Sequence, residues 1–390
     1  MTPLAAVLTR AWYAPQPTLL AQLLRPLSWL FGGLAASRRA AYRYRLLPTV
    51  RLPVPVIVVG NISVGGTGKT PLVIALAQAL RALGRRPGIV SRGHGRDRRD
   101  VRVVHVDDDP RDTGDEPLLL AASGAPTWIG ADRVAAAREL LSAQPETDVI
   151  LADDGLQHYA LARDVEIVVI DGSRDLGNRM LLPAGPLREP PSRLASVDAV
   201  VRLQAQSDMR AAEDDPPAAS SHATSPPRPP SRSSPESPSP GLRIGARARP
   251  REFSMTHESQ AWRNLAHPGL ALDVDALRDP TTVAIAGIAN PQRFFDALRA
   301  LGFSGETRAF PDHHRYMQSD VAFPHARAVL MTEKDAVKCR TFADARMWML
   351  PIRARVDCAL VELVMERIDG SKAARDARLS RDEGAARARS

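Results

Sequence analysis

Val56-Ile-Val-Val-Gly-Asn-Ile-Ser-Val-Gly-Gly-Thr-Gly-Lys-Thr70 is an apolar run of strand length that empties into a glycine-rich loop. The loop leads into Pro71-Leu-Val-Ile-Ala-Leu-Ala-Gln-Ala-Leu80, whose apolar residues recur with a helical period. Strand, glycine loop and helix in that order form the layout of a nucleotide phosphate cradle. Ser63, Val64, Gly65, Gly66, Thr67, Gly68, Lys69 and Thr70 supply it. Backbone N–H groups turn inward to the phosphates and the helix N-terminus adds positive potential. Lys69 reaches the β and γ oxygens, and Thr70 offers a hydroxyl to Mg²⁺. Ser63 stands where the pattern G-x-x-x-x-G-K-[ST] has its first glycine, with Gly60, Gly65 and Gly66 around it. The competing reading is an ordinary glycine-rich turn; the flanking strand and helix favour the cradle.

Outward from this loop, short apolar runs alternate with helical stretches, which predicts an α/β fold, a P-loop-type parallel sheet with flanking crossover helices. The expected strands are Val56–Val59, Gly88–Ser91, Val101–Val106, Thr127–Ile129, Val149–Ala152, Val165–Ile170 and Ala199–Leu203. Ligands of such sheets gather beyond the strand C-termini, so the polar clusters there are the candidates for chemistry. Val149-Ile-Leu-Ala-Asp-Asp-Gly-Leu-Gln-His158 ends a strand in two carboxylates, and Asp153 and Asp154 are placed to hold Mg²⁺ or its water beside Thr70. Gln157 and His158 follow, within reach of nucleotide or acceptor. Ser91-Arg-Gly-His-Gly95 brings Arg92 as a phosphate contact, or is a plain turn. Asp115 and Glu116 in Thr113-Gly-Asp-Glu-Pro117 read locally as acids favoured by a helix start. Leu182-Pro-Ala-Gly-Pro-Leu-Arg-Glu189 is a rigid loop carrying Arg188.

The chain has 390 residues and a formal net charge of +8, with a pI near 10.0. That balance favours anionic partners such as phosphates and acidic lipid headgroups. Nucleic acid ranks last, because no helix-turn-helix or RNA-binding pattern accompanies the arginines. Two cysteines, Cys339 and Cys358, give no disulfide framework. In residues 1–50, Leu20, Leu23, Leu24, Leu27, Leu30, Phe31 and Leu34 recur at helical spacing before Arg38, Arg39, Arg43 and Arg45, while Arg25 and Pro26 interrupt the run. This predicts an amphipathic helix, lying in a membrane interface or packed on the protein. Residues 51–203 are read as the P-loop core. Nine of the 33 prolines fall between Pro216 and Pro240, so 204–248 is read as a disordered insertion. Residues 249–365 form a second α/β lobe with strand-then-helix units at Thr282–Leu301 and Ala328–Lys338, and 366–390 a disordered tail. Glu333, Lys334 and Asp335 read as an ion-paired turn that supports the fold. In Asp312-His-His314, His313 is a proton carrier, a metal ligand or simply surface. A metal phosphoesterase, a kinase for a soluble acceptor and a nucleotide-switched membrane adaptor are the rival functions.

Gly60-Asn-Ile-Ser-Val-Gly-Gly-Thr-Gly-Lys-Thr-Pro71, Ser91-Arg-Gly-His-Gly95, Gly114-Asp-Glu-Pro117, Asp153-Asp-Gly-Leu-Gln-His158, Leu182-Pro-Ala-Gly-Pro-Leu-Arg188 and Thr332-Glu-Lys-Asp-Ala-Val-Lys338 together resemble the tetraacyldisaccharide 4'-kinase family of lipid A biosynthesis. The likeness runs from about residue 10 to 363. It implies transfer of the γ-phosphate of ATP, with Mg²⁺, to the 4'-hydroxyl of a tetraacylated glucosamine disaccharide 1-phosphate. The setting it implies is the cytoplasmic face of a Gram-negative inner membrane, with the enzyme peripheral; a monomer is expected. It also implies two α/β/α lobes joined by a small β linker, with Asp115 and His313 as the proton-handling pair and Glu116 near the metal. Arg92, Asp154, Gln157, His158 and Arg188 are then expected near the substrates. His94 departs from the family pattern, which has tyrosine there, and the Pro/Ser-rich insertion is longer than the family needs.

Overall fold

The computed structural model describes residues 3–204 and 250–387. The proposed insertion therefore lies almost wholly outside the described residues. Helices α1 (Pro3–Trp12), α2 (Leu19–Leu23) and α3 (Arg25–Arg43) open the chain. The core follows with β1 (Val56–Gly60), α4 (Lys69–Ala82), β2 (Pro87–Ser91), β3 (Arg102–Val103), α5 (Pro110–Thr113), α6 (Asp115–Ala121), β4 (Thr127–Ile129), α7 (Arg133–Ala143), β5 (Val149–Asp153), β6 (Val165–Asp171) and β7 (Ala199–Leu203). After the gap come β8 (Arg251–Ser259), β9 (Arg263–Asn264), α8 (Val274–Arg278), β10 (Val283–Ala286), α9 (Pro291–Ala300), β11 (Glu306–Ala309), β12 (Val329–Thr332), α10 (Glu333–Cys339), β13 (Met347–Leu350), β14 (Ile352–Val356) and α11 (Cys358–Arg387).

Among these residues the first sheet has nine strands in the order β14-β8-β7-β6-β1-β5-β2-β4-β3. It is parallel from β8 to β4, and β14 and β3 run antiparallel at its two edges. The near-continuous apolar strands β1, β5 and β6 are buried along their whole length, as a parallel sheet covered on both faces requires. One face packs under α4 and α11, through Leu72, Leu76, Leu80, Leu363 and Val364. The other packs under α7 and the segment around Leu156, Leu161 and Leu187. The second sheet, β11-β10-β12-β13-β9, is covered by α8 and α9 on one face and by α10 and the Tyr316–Phe323 loop on the other.

Three sequence expectations change. The strand expected at Val101–Val106 shrinks to Arg102–Val103, because its β4 partner is itself only three residues long and the chain turns away at the Asp108 and Asp109 loop. The second lobe does not extend over the whole of 249–365. Strand β8 is hydrogen-bonded to β7 and to β14 and so belongs to the first sheet, and the chain returns to that sheet after β13. The β8–β14 pair is the linker through which the lobes are joined. Finally, the tail placed at 366–390 begins inside α11, whose apolar stripe Leu360, Leu363, Val364 and Ile368 has helical spacing and seals the first core.

The N-terminal segment is helical but broken. Leu24 caps both α2 and α3, and Pro26 sits in the first turn of α3, where a missing N–H costs nothing. Of the two expected environments, packing on the protein is seen. Ser28 accepts from Ala184 N at 3.0 Å and donates to Leu181 O at 2.8 Å, and Trp12 donates to Pro183 O at 2.8 Å, so one side is docked on the core. On the other side Leu19, Leu23, Leu27, Trp29, Leu30 and Leu34 are exposed. No helix among the described residues is long and apolar enough to cross a membrane.

Candidate active site

Both sheets aim strand C-termini at one cleft of about 480 Å³, lined from the first lobe by Gly65–Pro71, Ser91, Arg92, His94, Glu116, Asp154 and Arg188, and from the second by Ala289, Arg293, Asp312, His313, Thr332 and Lys334. The phosphate loop leaves β1 at Gly60, where a Cβ would stand 2.6 Å from the Cβ of Leu156, so only glycine lets the loop pass the Asp-Asp-Gly-Leu segment. It enters α4 through Gly68, whose φ of 89° is left-handed backbone. Asn61 is fully buried and spans the loop from inside, donating to Thr67 Oγ1 at 3.3 Å and to Gly65 O at 3.4 Å. Of the residues expected in the cradle, Gly65–Thr70 face the cleft at the start of α4, while Ser63 is buried and bridges to Leu187, and Val64 N donates to Pro186 O.

Lys69 Nζ lies 3.5 Å from Asp154, which also faces Arg188 at 3.4 Å. Arg133 donates to the Asp154 carbonyl at 3.0 Å. Burial works to raise the Asp154 pKa, but Lys69, Arg188 and Arg133 outweigh it and hold the carboxyl below its ordinary range. Asp153 differs: it ends β5 fully buried, and burial, with Glu116 adding to it against the pull of Lys69, pushes its pKa up. Its Oδ2 accepts from Ser91 Oγ at 3.4 Å and its Oδ1 has no hydrogen-bond partner. A buried, unsatisfied carboxylate oxygen at the C-terminal end of β5, in register with Val59 of the strand that feeds the phosphate loop, suits a hard divalent cation, although Asp153 itself does not line the cleft. No group of three or more His, Cys, Asp or Glu among the described residues is placed to hold a metal. A cation here would complete its shell with phosphate oxygens and water, as Mg²⁺ does.

Across the cleft the structure joins two residues that looked ordinary in isolation. His313 Nδ1 sits 3.1 Å from each carboxylate oxygen of Asp115, which is 4% exposed at the start of α6. His313 has a φ of 57°, and its backbone N–H is tied to the Asp312 carboxylate. The Asp115 pKa is pulled well below the usual carboxylate range: burial opposes this, and the His313 hydrogen bond with the charges of Lys334 and Lys338 overcomes it. Burial acts to lower the His313 pKa, the Asp115 hydrogen bond raises it, Lys334 opposes, and the balance is upward. His94, in place of the family's tyrosine, has its ring 5.0 Å from that of His313.

Lys334 is the site residue that sequence reasoning missed. The reading of Glu333, Lys334 and Asp335 as a turn that supports the fold holds for Asp335: fully buried, it accepts from Gly287 N at 3.1 Å and from Thr332 Oγ1 at 2.7 Å. Lys334 instead points into the cleft, 3.1 Å from Glu116, 3.3 Å from Asp312 and 3.4 Å from His313 Nε2. Burial acts against its charge, but Glu116, Asp115 and Asp312 raise its pKa. The signal available beforehand was its place just after a strand C-terminus. Glu116, expected near the metal, is engaged by this lysine.

Two expected contacts fall elsewhere. Gln157 donates to Asn61 O at 3.1 Å and to Glu189 at 2.7 Å, holding the phosphate loop from behind. His158 is half-buried beside Asp132 with its pKa pushed down to about 4 by burial and by Arg133. Neither lines the cleft. His314, the other loop histidine, stacks on Phe310 and pairs with Asp320 at 3.1 Å. Arg92 and Arg188 do line the cleft.

A family model described as tetraacyldisaccharide-1-P 4'-kinase matches residues 20–369. The chain is 46% identical over 376 residues to the tetraacyldisaccharide 4'-kinase of Dechloromonas aromatica, covering 95% of this chain and 100% of that one. It is 47% identical over 349 residues to that of an Azoarcus species, covering 89% and 92%. A crystal structure of LpxK from Aquifex aeolicus in complex with ATP superposes with a TM-score of 0.68 at 27% identity, covering 90% of this chain and all of the other. The phosphate loop and the cross-cleft pair thus lie within a likeness that spans nearly the whole sequence, and the chain belongs to the tetraacyldisaccharide 4'-kinase family.

Proposed function

We propose a division of labour among the cleft residues for the reaction of this family, the ATP-dependent phosphorylation of the 4'-hydroxyl of a tetraacyldisaccharide 1-phosphate in lipid A biosynthesis. The observation that carries it is the meeting, in one cleft, of a phosphate loop from the first lobe and an Asp–His pair completed by the second. The amides of Gly65–Thr70 cradle the phosphates, and Lys69 exchanges its 3.5 Å contact with Asp154 for the β and γ oxygens. Thr70 and Asp153, with Glu116, would hold Mg²⁺ or its water. Bound there, Mg²⁺ neutralises charge on the phosphate oxygens. Arg92 and Arg188 contribute positive charge around the phosphates of the substrates. Asp115 orients His313, and the pair takes the proton of the sugar hydroxyl as the new O–P bond forms and the bond to the leaving diphosphate breaks. All of these groups come from one chain, consistent with a monomer.

The exposed row Leu19, Leu23, Leu27, Leu30 and Leu34, with Trp29 beside Arg25, fits a surface that rests in a membrane interface at the cytoplasmic face of the inner membrane, close to an acyl-chain-bearing acceptor. The decisive experiment incubates the purified chain with γ-labelled ATP and either the tetraacyldisaccharide 1-phosphate or the same disaccharide without acyl chains. Label on the lipid alone is expected. Equal labelling of the deacylated sugar would favour a kinase for soluble acceptors, and release of labelled phosphate without transfer would favour a nucleotide switch. Replacing Leu23, Leu27 and Leu30 together by serine should abolish co-sedimentation with anionic vesicles; undiminished sedimentation would place the membrane contact elsewhere.

A further inference from the structure

We propose that Arg293, carried by the second lobe, is a further binding residue for the phosphate chain of the nucleotide, so that ATP is gripped by the phosphate loop from one lobe and by a guanidinium from the other. This rests on the reading of Gly65–Thr70 as the phosphate cradle and adds a group that closes it from the opposite side. Arg293 lies in the first turn of α9 and lines the same cleft as the loop. The chain just before that helix touches the loop, since a Cβ built on Gly66 would stand 3.5 Å from the Cβ of Ala289. The arginine is anchored close to where the loop begins. Its Nη2 donates to Asp171 Oδ1 at 2.8 Å, and Asp171 ends β6, which pairs in parallel with the strand that feeds the loop.

The way this guanidinium is used separates it from the structural arginines of the fold. Arg193 spends every nitrogen on protein, Nε on Glu189, Nη1 on Ser196 and Nη2 on Glu166. Arg163 does the same through Nε, Nη1 and Nη2 with the carbonyls of Leu161, Leu156 and His158. Arg293 engages Nη2 alone, with Asp171 and, at 3.5 Å, with Ser173 Oγ, while its Nε and Nη1 have no hydrogen-bond partner among the described residues. Most of its donors are therefore left for a ligand, and a planar fork matches the spacing of phosphate oxygens. The anchor is itself fixed: Asp171 is 3% exposed, and its Oδ1 also accepts from Ser173 N at 3.0 Å and Ser173 Oγ at 2.7 Å. His257 of β8, whose Nε2 would lie 3.4 Å from a Cβ on Gly68, has its pKa pushed down to about 4 by burial and then by Arg293. Of these two neighbours only the arginine is charged at neutral pH.

The test is calorimetric titration of the full-length chain with inorganic triphosphate and Mg²⁺, a probe that carries the phosphates and no nucleoside. Arg293→Gln should weaken its binding roughly 10- to 100-fold, as the loss of a charge-assisted hydrogen bond requires, and should weaken ATP by the same factor. Asp171→Asn keeps an acceptor for Ser173 and removes the ion pair between the lobes while leaving the guanidinium in place, so its triphosphate affinity should stay within about threefold of the original. Unchanged triphosphate binding in Arg293→Gln overturns the proposal. So does an equal loss in Asp171→Asn, which would make the ion pair a tie between the lobes and nothing more. Should Arg293→Gln not fold, Arg293→Lys decides: it keeps the charge and gives up the fork, and a loss of about three- to tenfold is expected, with undiminished binding overturning the proposal. Lys69→Ala is the reference for the loop itself. If that variant binds triphosphate undiminished, the cradle reading fails; if it binds weakly while Arg293→Gln binds as the original does, only the assignment of Arg293 fails.

Discussion

The phosphate loop and the Asp115–His313–Lys334 cluster occupy the same cleft but are built in opposite ways. The loop is contiguous: eight residues, Asn61–Gly68, join one strand to one helix, shaped from within by short-range bonds such as Asn61 to Thr67 and held from behind by Gln157 of the same lobe. The cluster is assembled from three segments far apart in the chain, meeting only where two sheets face each other. Its geometry therefore depends on how the lobes sit, whereas the loop keeps its form within one lobe. The lobes are fixed by the β8–β14 pair and by contacts that cross the cleft, among them Arg293 to Asp171 at 2.8 Å and Arg315 to Asp97 at 2.6 Å.

If the loop carries the electrostatic work of phosphoryl transfer, Lys69→Ala should have the largest effect, lowering label transfer by about a thousandfold or more. Transfer at near-normal rate would break the reading of the whole site. The cluster should show a different signature. Asp115→Ala and His313→Ala are each expected to reduce kcat by about 10²–10⁴, while ATP affinity measured by calorimetry stays within about threefold, since neither side chain belongs to the phosphate loop. The double variant should be little worse than either single one, because the two act as a pair. Multiplicative losses would show that they work separately.

The same contrast explains what could be read from the sequence. Glycine spacing, a flanking strand and a flanking helix are local facts, so the loop, the β5 acids and most core strands were legible. Asp115 was not: an acid in the first turn of a helix is favourable for any protein, and only the family resemblance promoted it. The same holds for His313, one of two adjacent loop histidines of which the other, His314, is packed against Phe310 and Tyr316. Lys334 was concealed by its neighbours, since an alternating acid–base–acid run looks self-neutralising until the distance to Glu116 is known. The tail was misread because the apolar stripe of α11 ends only at Ile368, beyond the point where the charged composition suggested disorder.

Gln157 gives the finest test of the comparison, because the sequence placed it among the substrate contacts and the structure places it behind the loop. Its amide donates to Asn61 O and to Glu189, and Glu189 also accepts from Tyr159 at 2.8 Å and from Arg193 at 3.2 Å. This buried network supports the turn out of β1 from the side away from the cleft. Gln157→Ala leaves a buried carbonyl and a carboxylate oxygen each short of a donor, a loss worth about 1–3 kcal/mol that the loop can relieve only by loosening. The expected result is a rise of roughly tenfold in KM for ATP, with kcat changed much less, because Lys69 and the cross-cleft pair remain in place. Binding of inorganic triphosphate should weaken by the same factor as binding of ATP, since a loosened cradle grips phosphates less well whatever they are attached to. A loss seen with ATP and absent with triphosphate would return Gln157 to the role of a nucleoside contact, and would mean that the loop is held in shape from within, by Asn61 and its glycines alone.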